Sequence, residues 1–488
     1  MRRHLSGLGI VVAAAMVVLS CGGSSMTSQT GTTSAGSGQL ALMGTDAPVC
    51  GVVSFDVTVT GVTLTPQGGG SPVSVMDSSN PVTVDFASLM GFNTLLNLAS
   101  VPAGTYSQIT FTFMPNPQLT VLEGTPPTPT PITPTTMTQT TVTANINPAL
   151  TVSASGASGL TLDFQLFKSI QTDSTGQITG AIDPTIRVTP AVITSANGLG
   201  DIDELIGIVQ TVTTTSSNSN FTGSFTLRVR NHHTFQVNVG NNTEFENVSG
   251  LGGLTQGLLV EVDAKVEQDG NIVAKHVEAE SETDATTAAF RGPILSVTRD
   301  TNGNATQLTV FVRAEYPDVS STVPLRSVVT VNVSSTTNFR IATLGADLSA
   351  FLFNSAAITR GQHVVVHGPF SGGNPSTVTA NLMVLKSQPV MGNFLATPTP
   401  VIGSDGKTGG YSLEPCNALY QNQTVNVLTF SKTLFNGLTD LNGLSTTQTY
   451  LNRGFLLYAT SAGSVNGVSW NPQAYVFPSY LVRQMNLP

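Results

Sequence analysis

The chain has 488 residues, of which only 10% are charged, and its formal net charge of −9 makes it acidic. An acidic chain with no cluster of lysines and arginines is unsuited to binding nucleic acid or an anionic lipid surface through charge. Threonine, valine, glycine and asparagine are abundant, and they favour half-buried strands and turns. We therefore expect an all-β, extracytoplasmic protein, with enough residues for three or four domains.

Residues 1–20 have the layout of a secretory signal peptide, with a basic start, an apolar run over 8–19 and a small residue before Cys21. The apolar run is too short for a membrane span. Residues 18–21 (Val-Leu-Ser-Cys) resemble the lipobox of bacterial lipoproteins. The resemblance implies that Cys21 becomes the first mature residue and carries lipid, and several acyl chains make such an anchor stable. The alternative is a plain signal peptide followed by an incidental cysteine.

The residues after the lipobox are rich in Gly, Ser and Thr over 21–38, which predicts a flexible tether. Gly22, rather than an aspartate, follows the lipid-bearing cysteine, and the resemblance then implies the outer membrane. We expect a lipid-anchored protein of the bacterial cell envelope that faces the periplasm or the exterior, with the membrane as a partner through the N-terminal lipid.

Two cysteines remain after Cys21, namely Cys50 and Cys416. Two separate buried thiols are the simpler interpretation. The alternative is a disulfide, which an oxidising compartment permits and which would tie the first domain to the last. Sequence alone does not give the geometry that decides between them.

The first domain, at 39–195, contains strands with one apolar face. Val53, Phe55, Val57 and Val59 alternate with polar residues and predict a strand with one buried side. Five short motifs of this domain occur in a characteristic order. They are Thr45-Asp46-Ala47-Pro48, Val84-Asp85-Phe86, Pro102-Ala103-Gly104-Thr105-Tyr106, Leu162-Asp163-Phe164 and Pro184-Thr185-Ile186-Arg187-Val188. Together they resemble the bacterial lipoprotein family called domain of unknown function 4382. The resemblance implies a β-sandwich without an established activity.

A proline-rich segment interrupts this domain at 124–134. Proline cannot donate a hydrogen bond to a strand ladder, so we expect an exposed polyproline-like loop. It is interpreted as a surface insertion, and a recognition segment or glycosylation target is the alternative.

The remainder of the chain repeats one unit three times, at 204–283, 288–387 and 388–488. A Val-Asn-Val core recurs at equal spacing, and each copy begins with a glycine-bearing strand. Five or six short strands per copy predict a small closed barrel of OB-like size, because closure removes exposed edges. The layout resembles the envelope family called domain of unknown function 5666. The third copy departs most from that layout.

No catalytic constellation, zinc-ligand spacing or cofactor motif stands out in the sequence. Asp201, Asp203 and Glu204 lie between the sandwich and the first barrel, where they form either a weak calcium site or a solvated acidic linker. We expect the carboxylates of Asp56 and Asp85 on the outer face of the sandwich.

Trp470, Tyr475 and Phe477 form the best aromatic cluster in the sequence. Tyr475 and Phe477 share one strand face. Core packing is the simpler interpretation of the cluster, and a platform that stacks against a sugar or a protein partner is the alternative.

The sequence thus predicts an all-β architecture of one N-terminal β-sandwich followed by three OB-like barrels. We expect a non-catalytic binding or structural module without a cofactor, whose partner is an envelope protein or a glycan and not nucleic acid. The alternatives are an envelope hydrolase with a carboxylate site at a domain junction and a scaffold stiffened by calcium.

Overall fold

Two β-sheets packed face to face begin the described part of the chain, and three five-stranded barrels follow. The computed structural model describes residues 36–45, 49–89, 93–191, 199–229, 233–282, 287–316, 323–342, 348, 351–371, 376–420 and 423–485. The chain divides into two units, Met1–Ala35 and Gly36–Pro488. The predicted signal peptide, Cys21 and most of the predicted tether lie outside the described residues.

The sandwich contains fourteen strands and one short helix. They are β1 (Ser37–Thr45), β2 (Val52–Pro66), β3 (Val73–Met76), β4 (Val82–Asp85), β5 (Thr94–Pro102), β6 (Gly104–Phe113), β7 (Gln118–Glu123), β8 (Thr128–Ile132), β9 (Thr136–Met137), β10 (Thr141–Val152), β11 (Ala157–Asp163), α1 (Leu166–Ser169), β12 (Ile170–Thr172), β13 (Ile178–Ile182) and β14 (Arg187–Ala191). One of the two large sheets has the order β14-β11-β1-β5, and the other has the order β10-β6-β2-β7-β8 with β3 and β4 also paired to β2. β12, β13 and β9 form a small third sheet in that order.

Aromatic side chains fill the space between the two sheets. The ring of Phe164 lies 5.6 Å from Phe55, 5.0 Å from Phe86 and 5.8 Å from Phe113, measured between centroids. All four side chains are buried in one cluster. The alternation predicted for β2 is correct for Phe55, Val57 and Val59, but Val53 packs in a different cluster. The register of β2 against β7 shifts between Val52 and Ser54, and Val53 packs against Leu295 and Phe311 of a later domain.

Thr128–Ile132 of the proline-rich segment form strand β8, so the expected polyproline-like loop is wrong for this part of the segment. β8 pairs with β7 at the edge of the larger sheet, with Pro129 opposite Leu122 and Pro131 opposite Thr120. In an edge strand only every second N–H points toward the neighbouring strand. Prolines at alternate positions therefore leave the pairing intact, and they also block further strands from adding to the edge.

The first repeat is a closed barrel with the order β15-β16-β17-β19-β18. Its strands are β15 (Leu199–Thr213), β16 (Phe221–Val229), β17 (Thr234–Glu246), β18 (Leu258–Val266) and β19 (Ile272–Glu282). β17 and β19 are parallel, and the other pairs are antiparallel. This is a five-stranded OB-like barrel. The segment expected to be an acidic linker, 201–204, lies inside β15, where it pairs with β18.

The second repeat closes a ring of five strands in the same way, because its first strand pairs on both sides. Its strands are β20 (Thr287–Arg299), β21 (Ala305–Phe311), β22 (Ala314–Tyr316), β23 (Val328–Asn332), β24 (Asn338–Ile341), β25 (His363–Ser371), β26 (Thr377–Thr379) and β27 (Leu382–Leu385). The ring runs β20-β21-β23-β26-β25 and returns to β20.

The third repeat closes the equivalent ring despite its divergent sequence. Its strands are β28 (Gln388–Leu395), β29 (Val401–Ile402), β30 (Gly409–Pro415), β31 (Val425–Thr429), β32 (Leu434–Asn436), β33 (Thr449–Gly454), β34 (Leu457–Tyr458), β35 (Gly463–Val465), β36 (Val468–Trp470) and β37 (Tyr475–Met485). β28 pairs with both β30 and β33, and β37 joins β33 to β31. The all-β prediction of a sandwich followed by three OB-like barrels is confirmed.

A threonine with the same hydrogen bonds recurs in every barrel. Thr243, Thr337 and Thr433 each donate from the side-chain oxygen to a backbone carbonyl in, or just before, the last strand of their barrel, always at 2.8 Å. Each also accepts a backbone N–H from three residues earlier. In the sequence each threonine stands two positions before a phenylalanine. This Thr-x-Phe signal, which the sequence analysis missed, relates the divergent third copy to the other two.

Candidate functional site: a charged junction between the domains

The few charged residues of this chain concentrate where its domains meet. Several of its 19 lysines and arginines lie in or beside these junctions. They include Arg291, Arg313, Arg326, Arg340, Lys386, Arg453 and Arg483. Burying a charge is costly unless it is paired. We therefore describe each buried cation together with the groups that it contacts.

Lys386, which follows β27, lies at the contact between the first and second repeats. Its Nζ is 3.0 Å from an oxygen of Glu261, 3.0 Å from one of Glu278 and 2.6 Å from one of Glu280. Lys386 and Glu278 are both 0% exposed. Glu278 and Glu280 alternate along β19 with Val277 and Ala279, which fill the barrel core. The glutamates therefore face outward from their barrel, and the second repeat covers them.

Two arginines complete this cluster and balance its charge. Arg340 Nη2 lies 3.0 Å from Glu280 Oε2 and 3.7 Å from Glu278 Oε1. Arg291 Nη1 lies 3.9 Å from Glu261 Oε2. Three cations thus face three carboxylates.

The electrostatics of the cluster favour the charged form of Lys386 but not that of Glu278. Burial alone would lower the pKa of Lys386, but the charges of the three glutamates outweigh it and hold that pKa well above its usual value. Burial raises the pKa of Glu278, an effect that Lys386 opposes and Glu280 reinforces. With each carboxylate held by a cation, the cluster is a clamp between two barrels rather than an acid–base pair.

A second set of ion pairs joins the sandwich to the second repeat. Asp56 and Asp85 are directly opposite each other on β2 and β4. Arg313 Nε lies 3.0 Å from Asp85 Oδ2, and Arg326 Nη1 lies 2.6 Å from Asp56 Oδ2. The other oxygen of Asp85 accepts the N–H of Phe55 at 2.9 Å. The expectation that these carboxylates lie on an outer face is correct for the isolated sheet, but the second repeat buries them.

Cys50 and Cys416 are joined in a disulfide that crosses from the sandwich to the third repeat. The simpler interpretation of the sequence, two separate thiols, is therefore wrong. The bridge lies near Leu419, which packs with Val53, Leu295 and Phe311 in one cluster contributed by three domains. Folding places residues separated by 366 positions side by side, which local sequence patterns do not reveal.

A cavity of about 190 Å³ lies between the sandwich and the first two repeats. Its polar lining comes from Asp85, Asp203, His233, Arg291, Arg313 and His363. Asp85, Arg291 and Arg313 also belong to the ion pairs described above, so the cavity borders the charged contact between the domains.

His363 is the cavity residue with the most unusual environment. Its backbone N–H donates to Gln388 Oε1 at 2.8 Å, but its imidazole makes no hydrogen bond to any described residue. Burial, reinforced by Arg313, Arg291 and Arg453, holds the pKa of His363 well below its usual value. The ring is therefore neutral at physiological pH, with one nitrogen that can donate and one that can accept.

Tyr475 and Phe477 pack in the core, as the simpler interpretation of the aromatic cluster expected, and not as an exposed platform. Phe477 is 0% exposed and Tyr475 is 6% exposed, because β37 is paired on both sides and their shared face packs into the barrel core. Trp470 stacks on Phe351 of the second repeat at 5.9 Å. Tyr475 reaches only the edge of a cleft between the second and third repeats.

Only one of the three weak metal candidates has a described side chain. The side chains of Asp201 and Glu204 lie outside the described residues, while Asp203 lines the cavity and its N–H donates to the carbonyl of Asn93 at 3.2 Å. Across the described ranges, no group of three His, Cys, Asp or Glu side chains is positioned to hold a metal ion. Within the same ranges, no helix has the length and apolar character needed to cross a membrane.

One pattern in the sequence could have predicted the junction between the first two repeats. Charged residues lie near the ends of successive repeats. They are acidic in the first copy, at Glu278 and Glu280, and basic after the second, at Lys386. Opposite charges at equivalent positions of adjacent repeats predict that the two surfaces meet.

Comparison with known families agrees with the motifs found in the sequence. Residues 37–179 match the family model described as Domain of unknown function (DUF4382), and residues 207–278 match Domain of unknown function (DUF5666). Both resemblances are confirmed. Neither family description states an activity, and no curated protein matches the chain.

Two solved structures show a weak likeness. A Drosophila protein described as Unr CSD456 is 11% identical, with a TM-score of 0.13, and the match covers 58% of this chain and 98% of that one. A single-stranded DNA binding protein from Thermus aquaticus is 12% identical, also with a TM-score of 0.13, over 38% and 92% of the two chains. At these TM-scores neither likeness bears on the fold or the function of this chain.

Proposed function

We propose that the protein is a non-catalytic, lipid-anchored module of the bacterial cell envelope. In this proposal the sandwich and the three barrels act as one stiff body that presents its outer surface to an envelope protein or a glycan. The observation that carries the proposal is that the junction carboxylates are held by lysine or arginine. Asp56, Asp85, Glu261, Glu278 and Glu280 all have such a partner.

The same observation weighs against the alternative of a hydrolase with a carboxylate site at a domain junction. Glycoside hydrolysis needs two carboxyl groups about 5–10 Å apart that are free to act as acid and as base or nucleophile. Each junction carboxylate lies within 3.0 Å of a lysine or arginine nitrogen, so it is engaged in an ion pair rather than available to a substrate.

The disulfide supports the extracytoplasmic part of the proposal. Disulfides persist in oxidising compartments and are rare in the cytoplasm. The Cys50–Cys416 bridge therefore fits a chain exported by the predicted signal peptide.

Lipid anchoring is tested by replacing the predicted lipid-bearing residue. Cys21→Ala removes the thiol that would accept the diacylglycerol, so we expect no incorporation of radiolabelled palmitate and release of the protein from membranes. Ser20→Ala is the matched control, because it keeps a small residue before the cysteine and should leave labelling intact. Undiminished labelling of Cys21→Ala would refute the anchor.

A further inference from the structure

The cleft between the second and third repeats has a volume of about 660 Å³, which lies within the range of about 300–1,000 Å³ typical of small-molecule sites. Its described lining contains two arginines, Arg299 and Arg360, and no aspartate or glutamate. Asp300 follows Arg299 in the chain, but its carboxylate is exposed and accepts the N–H groups of Asn302 and Asn304 in its own turn. In a chain with a formal net charge of −9, this cleft is a place that favours an anion.

Arg360 is a buried cation without a carboxylate partner among the described residues. The residue is 8% exposed, and its Nε donates to the carbonyl oxygen of Leu419 at 2.8 Å. Its Nη2 is buried and forms no hydrogen bond to a described residue. Burial lowers the pKa of Arg360, and no carboxylate is among the groups that oppose this effect.

This environment sets Arg360 apart from the buried cations of the domain junctions. Lys386 and Arg313 each lie within 3.0 Å of a carboxylate oxygen. A guanidinium stays protonated at neutral pH, and a buried charge without a partner is costly. An anion that contacts Arg360 would therefore supply the partner that the fold does not.

Arg299 is held in place by groups that do not neutralise it. It donates to the carbonyl oxygens of Gly303, Ala356 and Ile358. Its Cζ lies 5.5 Å from the centre of the Tyr458 ring. These partners orient the guanidinium and leave its positive charge in place, so two cations line one cleft.

The rest of the lining suits a ligand that carries many hydroxyl groups. Gln423 and Gln473 are exposed, and their amides can both donate and accept hydrogen bonds. Tyr458 and Pro472 add apolar surface at the same cleft. A sugar presents hydroxyl groups on its rim and C–H groups on its faces, and it can therefore use both kinds of surface.

We propose that this cleft binds a short acidic glycan, namely an oligosaccharide of uronic acid residues. A carboxylate of the glycan contacts Arg360 and lies close to Arg299, and the planar guanidinium matches it in geometry. Hydroxyl groups of the sugar bond the amides of Gln423 and Gln473. This inference rests on the proposed function, because it takes the glycan from the two proposed partners and gives its chemical class.

The experiment is titration calorimetry of the full chain with two uronate disaccharides, digalacturonate and dimannuronate. The neutral disaccharides galactobiose and mannobiose, with the same linkages, are the comparison ligands. We expect at least one uronate to bind about tenfold or more tightly than its neutral counterpart, since a charge-assisted hydrogen bond is worth about that factor. Acetate and inorganic phosphate, which lack the sugar ring, should bind more weakly than that uronate.

A charge change assigns the binding to the cleft. Gln423→Glu puts a negative charge into the lining at an exposed position, so it should weaken uronate binding about tenfold. Gln268→Glu makes the same change at an exposed position of the first repeat, which contributes no residue to the described lining. This matched control should bind the uronate as the wild type does.

Arg360→Gln tests the buried cation itself. We expect it to weaken uronate binding about tenfold. Because it removes a buried charge that has no counter-ion, it should leave the melting temperature unchanged or raise it. A lower melting temperature with unchanged uronate affinity would make Arg360 a structural residue and contradict the proposal. If this variant does not fold, Gln423→Glu still decides the assignment.

The proposal is overturned by any of three results. These are no detectable binding of either uronate, equal affinity for each uronate and its neutral counterpart, and equal uronate affinity of Gln423→Glu and Gln268→Glu. Acetate or phosphate binding as tight as that of the uronate would contradict the choice of a glycan. Palmitate labelling tests the lipid anchor independently, so the cleft can fail while the anchored scaffold stands.

Discussion

Lys386, one of the few cationic residues of the chain, is buried in a cluster of ion pairs. The residue is enclosed by three glutamates from the neighbouring barrel and has no exposed surface. Two hydrophobic residues of similar size could pack as stably as a buried ion pair, but removing one partner leaves an uncompensated buried charge. The cluster therefore makes the observed docking of the two barrels lower in free energy than any arrangement that separates the charges.

Replacing Lys386 with methionine should destabilise the protein by about 3–5 kcal/mol at pH 7, because it leaves three buried carboxylates opposite two arginines. Urea denaturation measures the change. Lys407→Met, at an exposed lysine, is the control and should change stability by less than about 0.5 kcal/mol. Equal stability of the two variants would contradict the role of Lys386.

The loss caused by Lys386→Met should shrink as the pH falls toward 5. Burial and Glu280 raise the pKa of Glu278 in the folded state, while Lys386 opposes that rise. A carboxyl group with a raised folded-state pKa stabilises the fold at low pH and loses that contribution as the pH rises through its pKa. Without Lys386 the rise is larger, so the deficit should be greatest at neutral pH. A deficit that does not change with pH would count against this account.

The sequence predicted which face of the sheet Asp56 and Asp85 occupy, but not what covers that face. Alternation with buried residues places both carboxylates on the outer face of the sandwich. The cations that cover them are 228 positions from Asp85 and 270 positions from Asp56 along the chain. No local pattern reports such a distant contact.

At the scale of strands, a glycine in the first strand of each barrel allows a neighbouring strand to approach closely, and it does not form a turn. A Cβ added to Gly207, Gly292 or Gly392 would lie 2.6, 1.7 or 2.1 Å from a carbonyl oxygen of the facing strand. In each barrel the first strand pairs with two neighbours and so closes the ring. The recurrence of glycine was visible in the sequence, and the close approach explains it.

Gly292→Ala should destabilise the protein by about 1–3 kcal/mol or more, because β20 must move away from Phe311 to admit the new methyl group. Thermal denaturation measures the effect. Gly252→Ala is the matched control, since an added Cβ there meets nothing within 4 Å. If the two variants melt at the same temperature, the closure of the second barrel at Gly292 is not as described.

At the scale of the whole molecule, the sequence predicted the parts better than their assembly. Strand alternation, turn residues and repeats sufficed for a sandwich and three barrels, because these signals are local. The arrangement depends on contacts between domains, such as the Cys50–Cys416 bridge and the ion pairs of Lys386. A chain of separate modules was the natural expectation, whereas residues from Gly36 onward form a single compact unit.

Cooperative unfolding is the most direct test of that single unit. Trp470 is the only tryptophan in the chain and stacks on Phe351 of the second repeat, so its fluorescence reports on the third repeat and its junction. Amide hydrogen exchange in β6 reports on the sandwich. In a urea titration of the full chain we predict that both signals change at one midpoint. A sandwich that unfolds at a different urea concentration from Trp470 would contradict the account of one body held by buried charges.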